Sequence, residues 1–165
     1  MFKKILELLP ENLRNNLVLR YFGFFKIPLI GFVRPRVIEM SDLKTIVFVP
    51  LNHRTKNHLK SMYFGAMATA ADVTGGFAAM NHIYKSGKNI HLSFKDFDAQ
   101  FLKRAEGDTL FENNQGKEIK EFVDEVIQSG ERMNMSIKVI ATVPDKFNDE
   151  PVAMFTLTLS LKLKN

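Results

Sequence analysis

The chain has no cysteine and no tryptophan among its 165 residues. Without thiols there is no disulfide, no thiolate nucleophile and no Cys-ligated zinc, so nothing calls for an oxidising compartment. Long apolar runs are missing too. Charges interrupt the opening MFKKILELLPENLRNN before a signal-peptide core can form, and no run elsewhere reaches the roughly 20 residues that span a bilayer. A cytoplasmic protein is the expectation. Arginine-rich runs, nucleic-acid motifs, internal repeats and low-complexity segments are likewise missing. The net charge of +5 therefore reads as scattered surface lysines or a modest attraction for a phosphate-bearing ligand, and no nucleic-acid partner is expected.

What is present fits one ordinary domain with a real core: 45% hydrophobic residues, 25% charged, fifteen Phe and eight Met. Residues 1–33 read as a helical extension and residues 34–165 as a single domain. In the extension Ile5, Leu8, Leu9, Leu13, Leu17 and Leu19 recur at helical spacing, and Pro10 and Pro28 divide the stretch into short helices. Phe22, Phe24, Phe25 and Phe32 need cover from the domain, a partner subunit, a substrate channel or a membrane surface.

From Arg34 the period changes. RPRVIEMS and LKTIVFVPL alternate as two strands of a hairpin turned at Ser41-Asp42, followed by the polar, basic loop NHRTKNHLKS. NIHLSFKDFDAQFLKRA reads as a long strand whose inward face switches from Ile90, Leu92 and Phe94 to Phe97, Ala99 and Phe101, which predicts a bulge near Lys95. GDTLFEN gives a short strand. EIKEFVDEVIQSG gives an amphipathic helix with Ile119, Phe122, Val123 and Ile127 inward and Gly130 as its cap. MNMSIKVIATV and PVAMFTLTLSLKLK close the chain as two strands joined through PDKFNDE. Strands joined by short connections argue for an antiparallel sheet.

Between hairpin and long strand lies a helix of about 24 residues, roughly 36 Å long, made almost wholly of small and apolar residues and ending at Ser86-Gly87. One face carries Met62, Ala66, Val73, Phe77, Met80 and Tyr84, and is expected to pack into a concave sheet. The other carries Gly65, Ala68, Thr69, Asp72, Gly76 and Ala79, flat enough for a partner subunit or ligand chain to approach. A carboxylate there cannot stay buried and unpaired without cost. Asp72 either caps a neighbouring turn or pairs with a lysine across an interface, or it serves as a general base or nucleophile at the mouth of a crevice. His53, His58, His82 and His91 have no metal-ligand spacing and no metal is expected. Asp96 and Asp98 read as a solvent-facing pair on one strand face.

The element order, the Asn57, Gly65 and Asp72 spacing and the small-residue helix together resemble the hotdog-fold acyl-CoA thioesterases. The likeness is to the PaaI-like branch and most of all to a poorly characterised domain-of-unknown-function group within that superfamily. The branch's motif runs Asn, a Gly three residues on, then His-Gly-Gly, then an acid nine residues after the His. Asn57, Gly65 and Asp72 match it. Lys60 stands for the first glycine, Tyr63 for the histidine and Phe64 for the next glycine, while Lys95 matches a lysine common in the group's following strand.

The resemblance implies an α+β hotdog fold, an antiparallel sheet wrapped around the long helix, preceded by extra helices. It implies thioester hydrolysis with Asp72 as base or nucleophile, the Phe64 and Gly65 amides as oxyanion hole and Asn57 orienting carbonyl or water. Tyr63 and Lys95 would border the substrate, and Arg54, Lys56 and Lys60 would meet the coenzyme A phosphates, the alternative being an ordinary solvated loop. Coenzyme A enters only as part of the substrate, with no separate cofactor. Dimers or tetramers are implied, with peripheral membrane contact through the Phe-rich helices as a further reading. The altered His-Gly-Gly positions keep a second function open, a non-catalytic acyl-CoA or fatty-acyl binding protein.

Overall fold

The computed structural model describes residues 9–164. Ile5 and Leu8, read above as part of a first short helix, lie outside them. The described chain opens with α1 (Glu11–Phe25) and α2 (Pro28–Val33), then the hairpin β1 (Arg36–Met40) and β2 (Thr45–Val49). The long helix α3 (Phe64–Ser86) leads to β3 (Ile90–Phe101) and β4 (Thr109–Asn113). α4 (Gly116–Ser129), β5 (Met133–Thr142), the single turn α5 (Pro144–Phe147) and β6 (Pro151–Leu163) complete it. All strands pair antiparallel in one sheet of order β1-β2-β4-β5-β6-β3, with α3 packed against it. This is the hotdog fold.

The local predictions hold where they rest on alternation and capping. The β3–β6 register slips between Phe94 and Phe97, the bulge expected at Lys95. Gly87 and Gly130 take the left-handed conformation at the ends of α3 and α4, with φ of 68° and 71°. On α4 Ile119, Phe122 and Val123 are buried as expected, while Val126 takes the fourth inward place and Ile127 is half-buried. Phe111, Phe155, Leu157 and Leu159 are fully enclosed at the sheet's centre, each contributing about 1.5–3 kcal/mol by leaving water.

The row of α3 that meets the sheet is neither of the two expected faces. Ala71 and Ala78 are buried with Gly75, where a methyl group would stand 2.2 Å from Ile137 Cδ1 of β5, while Asp72 and Gly76 of the small-residue face open on a cleft, as a face approached by a ligand chain would. Val73, Phe77 and Met80 instead turn toward α1 and α2, and Tyr84 is exposed. Short side chains let the helix axis approach the strands closely, and the long ones fill the wider gap on the opposite side. The helix starts at Phe64, so residues 57–63 form a loop ahead of it. His82 is buried, and burial first, then the Lys85 charge, holds its pKa below the ordinary imidazole value.

The N-terminal helices are latched to the domain. Asn16 Nδ2 donates to the Val37 carbonyl at 2.8 Å, and the Val37 N–H donates to Asn16 Oδ1 at 3.0 Å. One side chain thereby occupies backbone groups on the edge strand β1. Leu19 faces inward, whereas Leu13 and Leu17, read as equivalent in the sequence, face solvent. α1 and α2 touch backbone to backbone at Gly23 and Gly31, where any Cβ would fall 2.6 or 2.7 Å from the other helix's main chain. Gly23→Ala should therefore cost about 1–3 kcal/mol, read as a lower urea midpoint at unchanged slope. An unchanged midpoint would show that the two helices separate freely.

Candidate functional site

Two helix turns into α3, Asp72 opens on a cleft of about 460 Å³. Val73, Gly76, Phe77 and Met80 of the same helix form one wall, β3 from Ile90 to Phe94 a second, and Leu19 and Phe22 of α1, Ile27 of the turn and Ile30 of α2 a third. The lining is almost wholly apolar. Gly76 keeps the wall open beside the carboxylate, since a methyl group there would meet the Phe94 ring at 3.5 Å and Asp72 Oδ1 at 3.8 Å.

Asp72 accepts no hydrogen bond and joins no ion pair with any described residue. The expected turn cap is not there. Burial alone pushes its pKa above the ordinary carboxylate value, because the apolar walls penalise the charged form. A carboxyl group poised in this way can accept a proton from water nearer neutral pH than a solvated one.

The other candidate residues gather at the start of α3. The Phe64 and Gly65 N–H groups have no partner among the described residues, as expected of the first amides of a helix. They point outward from its positive end, where an oxyanion would be stabilised. The Phe64 ring is 59% exposed, 4.7 Å from Tyr63 and 6.5 Å from Phe101 between ring centroids.

Asn57 is occupied by its own loop. Its Oδ1 accepts from the Leu59 N–H at 2.9 Å, the Ser61 N–H at 3.2 Å and the Ser61 hydroxyl at 3.3 Å. Lys60, standing where the resemblance expects glycine, has φ 65°, the left-handed conformation that glycine adopts without cost. The Arg54 guanidinium lies 5.9 Å above the Phe32 ring of α2, and Lys56 and Lys60 are exposed. Lys95 follows Phe94 at the bulge, at the border of the Asp72 cleft. His91 lines that cleft.

The structure thus forms two groups. Phe64 and Asp72 are eight residues apart on one helix, about 12 Å at 1.5 Å per residue. In the third wall Phe22 is one of the phenylalanines for which a substrate channel was an expected cover, whereas the part of Leu19, Ile27 and Ile30 was not foreseen; Leu19 and Ile30 are buried, Phe22 is half-buried and Ile27 is exposed.

Three comparisons bear on identity. No curated protein matches the chain. Among solved structures, a protein of unknown function from Chlorobaculum tepidum superposes with a TM-score of 0.78 at 14% identity, over 93% of this chain and 97% of that one. A protein of unknown function from Pseudomonas aeruginosa that carries the description "Probable Thioesterase" gives 0.71 at 22%, over 94% and 97%. A mutant thioesterase from the same organism gives 0.67 at 13%, over 94% and 96%. At these identities the likeness establishes the fold. A family model matches residues 15–160, from the first helix to the last strand, and the chain belongs to that family, described as Domain of unknown function (DUF4442).

Proposed function

We propose that this protein is an acyl-CoA thioesterase of the PaaI-like kind, with Asp72 as its reacting carboxylate. One observation carries the reading: a carboxyl group with no partner among the described residues, its pKa raised by burial, facing an apolar cleft of about 460 Å³. A thioester's acyl chain fits such walls. Asp72 takes the proton of a water that attacks the carbonyl carbon, the C–S bond breaks, and the proton passes to the departing thiolate. In the nucleophilic variant the carboxylate attacks first and water releases it.

The helix-start amides of Phe64 and Gly65 supply the oxyanion donors. Standing about 12 Å from Asp72 along the same helix, they serve a second protomer's acid, so the unit of function is a dimer. The strand β3 supports this assembly: 12 residues long, it ends the sheet with its outer edge unpaired among the described residues and carries exposed Phe97 and Phe101. Such an edge is a ready template for strand pairing with another copy. Static light scattering at micromolar concentration should give at least the mass of two chains, and a monomer would remove this arrangement.

A second reading, an acyl-CoA or fatty-acyl carrier without turnover, is favoured by the exposed Phe64 ring where the related motif has glycine. Purified protein given short, medium, long and aryl acyl-CoAs decides between them. Thiol release should be seen with one class, and Asp72→Asn should lower its rate about 10²–10⁴-fold. Its acid limb should lie above the ordinary carboxylate value of about 3.9. A thermal shift by acyl-CoA without release would establish the carrier.

Stability gives an independent check on the carboxylate. The folded state holds the Asp72 proton more tightly than the unfolded chain does, so this group lowers stability as pH rises from the ordinary carboxylate range through its raised value, above which the loss is complete and constant. Asp72→Asn should therefore melt higher than the native chain at neutral pH, with the gap closing toward about pH 4. A lower melting temperature in the variant at neutral pH would mean that Asp72 holds a structural contact.

A further inference from the structure

A second cleft, of about 740 Å³, lies across α1 and α2 from the Asp72 cleft, and Leu19 and Ile30 line both. Its charged lining is Arg20, Arg34 and Arg36, with no carboxylate among the residues that form it. None of the three arginines is in a salt bridge with a described residue. Arg36 lies 5.2 Å above the Phe48 ring. Arg34 caps α2 with φ 57°, a conformation in which glycine is the usual residue, and this unusual placement brings its side chain to the cleft.

The outer face of the same helix pair is apolar. Leu13, Leu17, Tyr21 and Phe24 share one stripe of α1, and Phe24 is 77% exposed. Arg20 and Arg14 lie on either side of the stripe by helical spacing, and Phe24 and Arg20 also form the mouth of the arginine cleft. The charge distribution is equally one-sided. Residues 1–36 hold seven Lys and Arg against Glu7 and Glu11, which leaves sixteen of each sign for residues 37–165. The whole net charge of +5 therefore belongs to this segment.

We propose that α1 and α2 dock the protein on an anionic membrane surface. The Leu13, Leu17, Tyr21 and Phe24 stripe enters the lipid interface, and Arg20, Arg34 and Arg36 take a phospholipid phosphate. An apolar stripe bordered by arginines is the pattern of a helix that lies in the interface plane, and guanidinium groups match phosphate oxygens in geometry. A second copy suits this face poorly, since apposing two such segments sets +5 against +5. A soluble phosphate compound would use the arginines and leave the aromatic stripe in water. Docking also brings the lipid surface against helices whose inner faces line the Asp72 cleft, but it does not depend on hydrolysis there.

Flotation of the full chain with phosphatidylcholine–phosphatidylglycerol vesicles, against phosphatidylcholine alone, tests the proposal. The native chain should float with the anionic vesicles and release as salt is raised. Phe24→Asp, and separately Arg20→Glu with Arg34→Glu, should weaken binding at least about tenfold, with circular dichroism and melting unchanged. Leu17→Asp, on the exposed stripe outside the cleft, repeats the test if either variant unfolds. Absence of flotation, or flotation indifferent to all the substitutions, overturns the proposal. It is equally overturned if Phe24→Asp only converts a dimer to a monomer, or if inorganic phosphate or coenzyme A raises the melting temperature through Arg34 while vesicles bind no protein.

Discussion

The close seating of α3 in the sheet is the constraint on which the rest depends. Gly75 lets the helix settle against Ile137 so closely that a Cβ there would force the Ile137 side chain to shift, and Ala71 and Ala78 are buried with it. A helix of 23 residues seated this deeply is enclosed nearly all round, by strands below, α4 beside it and the N-terminal helices above. Helical propensity is sacrificed at Gly75 and Gly76, up to about 1 kcal/mol each. The gain is close packing along the helix and an open wall beside Asp72.

That burial is also what makes Asp72 chemically unusual. A carboxylate on an exposed helix face would be solvated and unremarkable. Here it faces hydrocarbon from three elements, and the raised pKa follows from that desolvation. The fold accepts a group that works against its own stability, a pattern met where a site serves chemistry or binding more than structure. The start of the same helix leaves two amides without partners for an equally simple reason: no residue caps them.

The N-terminal helices have two working faces. Their inner residues complete the Asp72 cleft, so the extension is part of the domain's central architecture and not an appendage. Their outer residues place aromatic rings in solvent near Arg20, Arg34 and Arg36, which no described carboxylate pairs, while Arg14 pairs with Glu11 at 3.5 Å. The Gly23–Gly31 contact and the Asn16 bonds to Val37 hold both faces in fixed relation to α3.

Alternation and capping are local, and so β1 through β6, the bulge at Lys95 and the glycine caps could be read along the chain. The Asn57 to Asp72 spacing led to the fold because it is a pattern of residue types at fixed intervals. Which side of α3 meets the sheet was not legible, since the row that does so, with Ala71, Gly75 and Ala78, lies outside both stripes read from the sequence and is identified only by its contact with β5. Asn57 looked like a site residue because sequence cannot show that its carbonyl is already occupied by Leu59 and Ser61. Nor can sequence show that Lys60 takes a left-handed φ of 65°. The sequence by itself determined the elements, their order and one acid in an apolar helix. Tertiary structure decided that this acid has no described partner and that Leu19 and Ile30 of the N-terminal helices wall its cleft, because each depends on contacts between segments far apart in the chain.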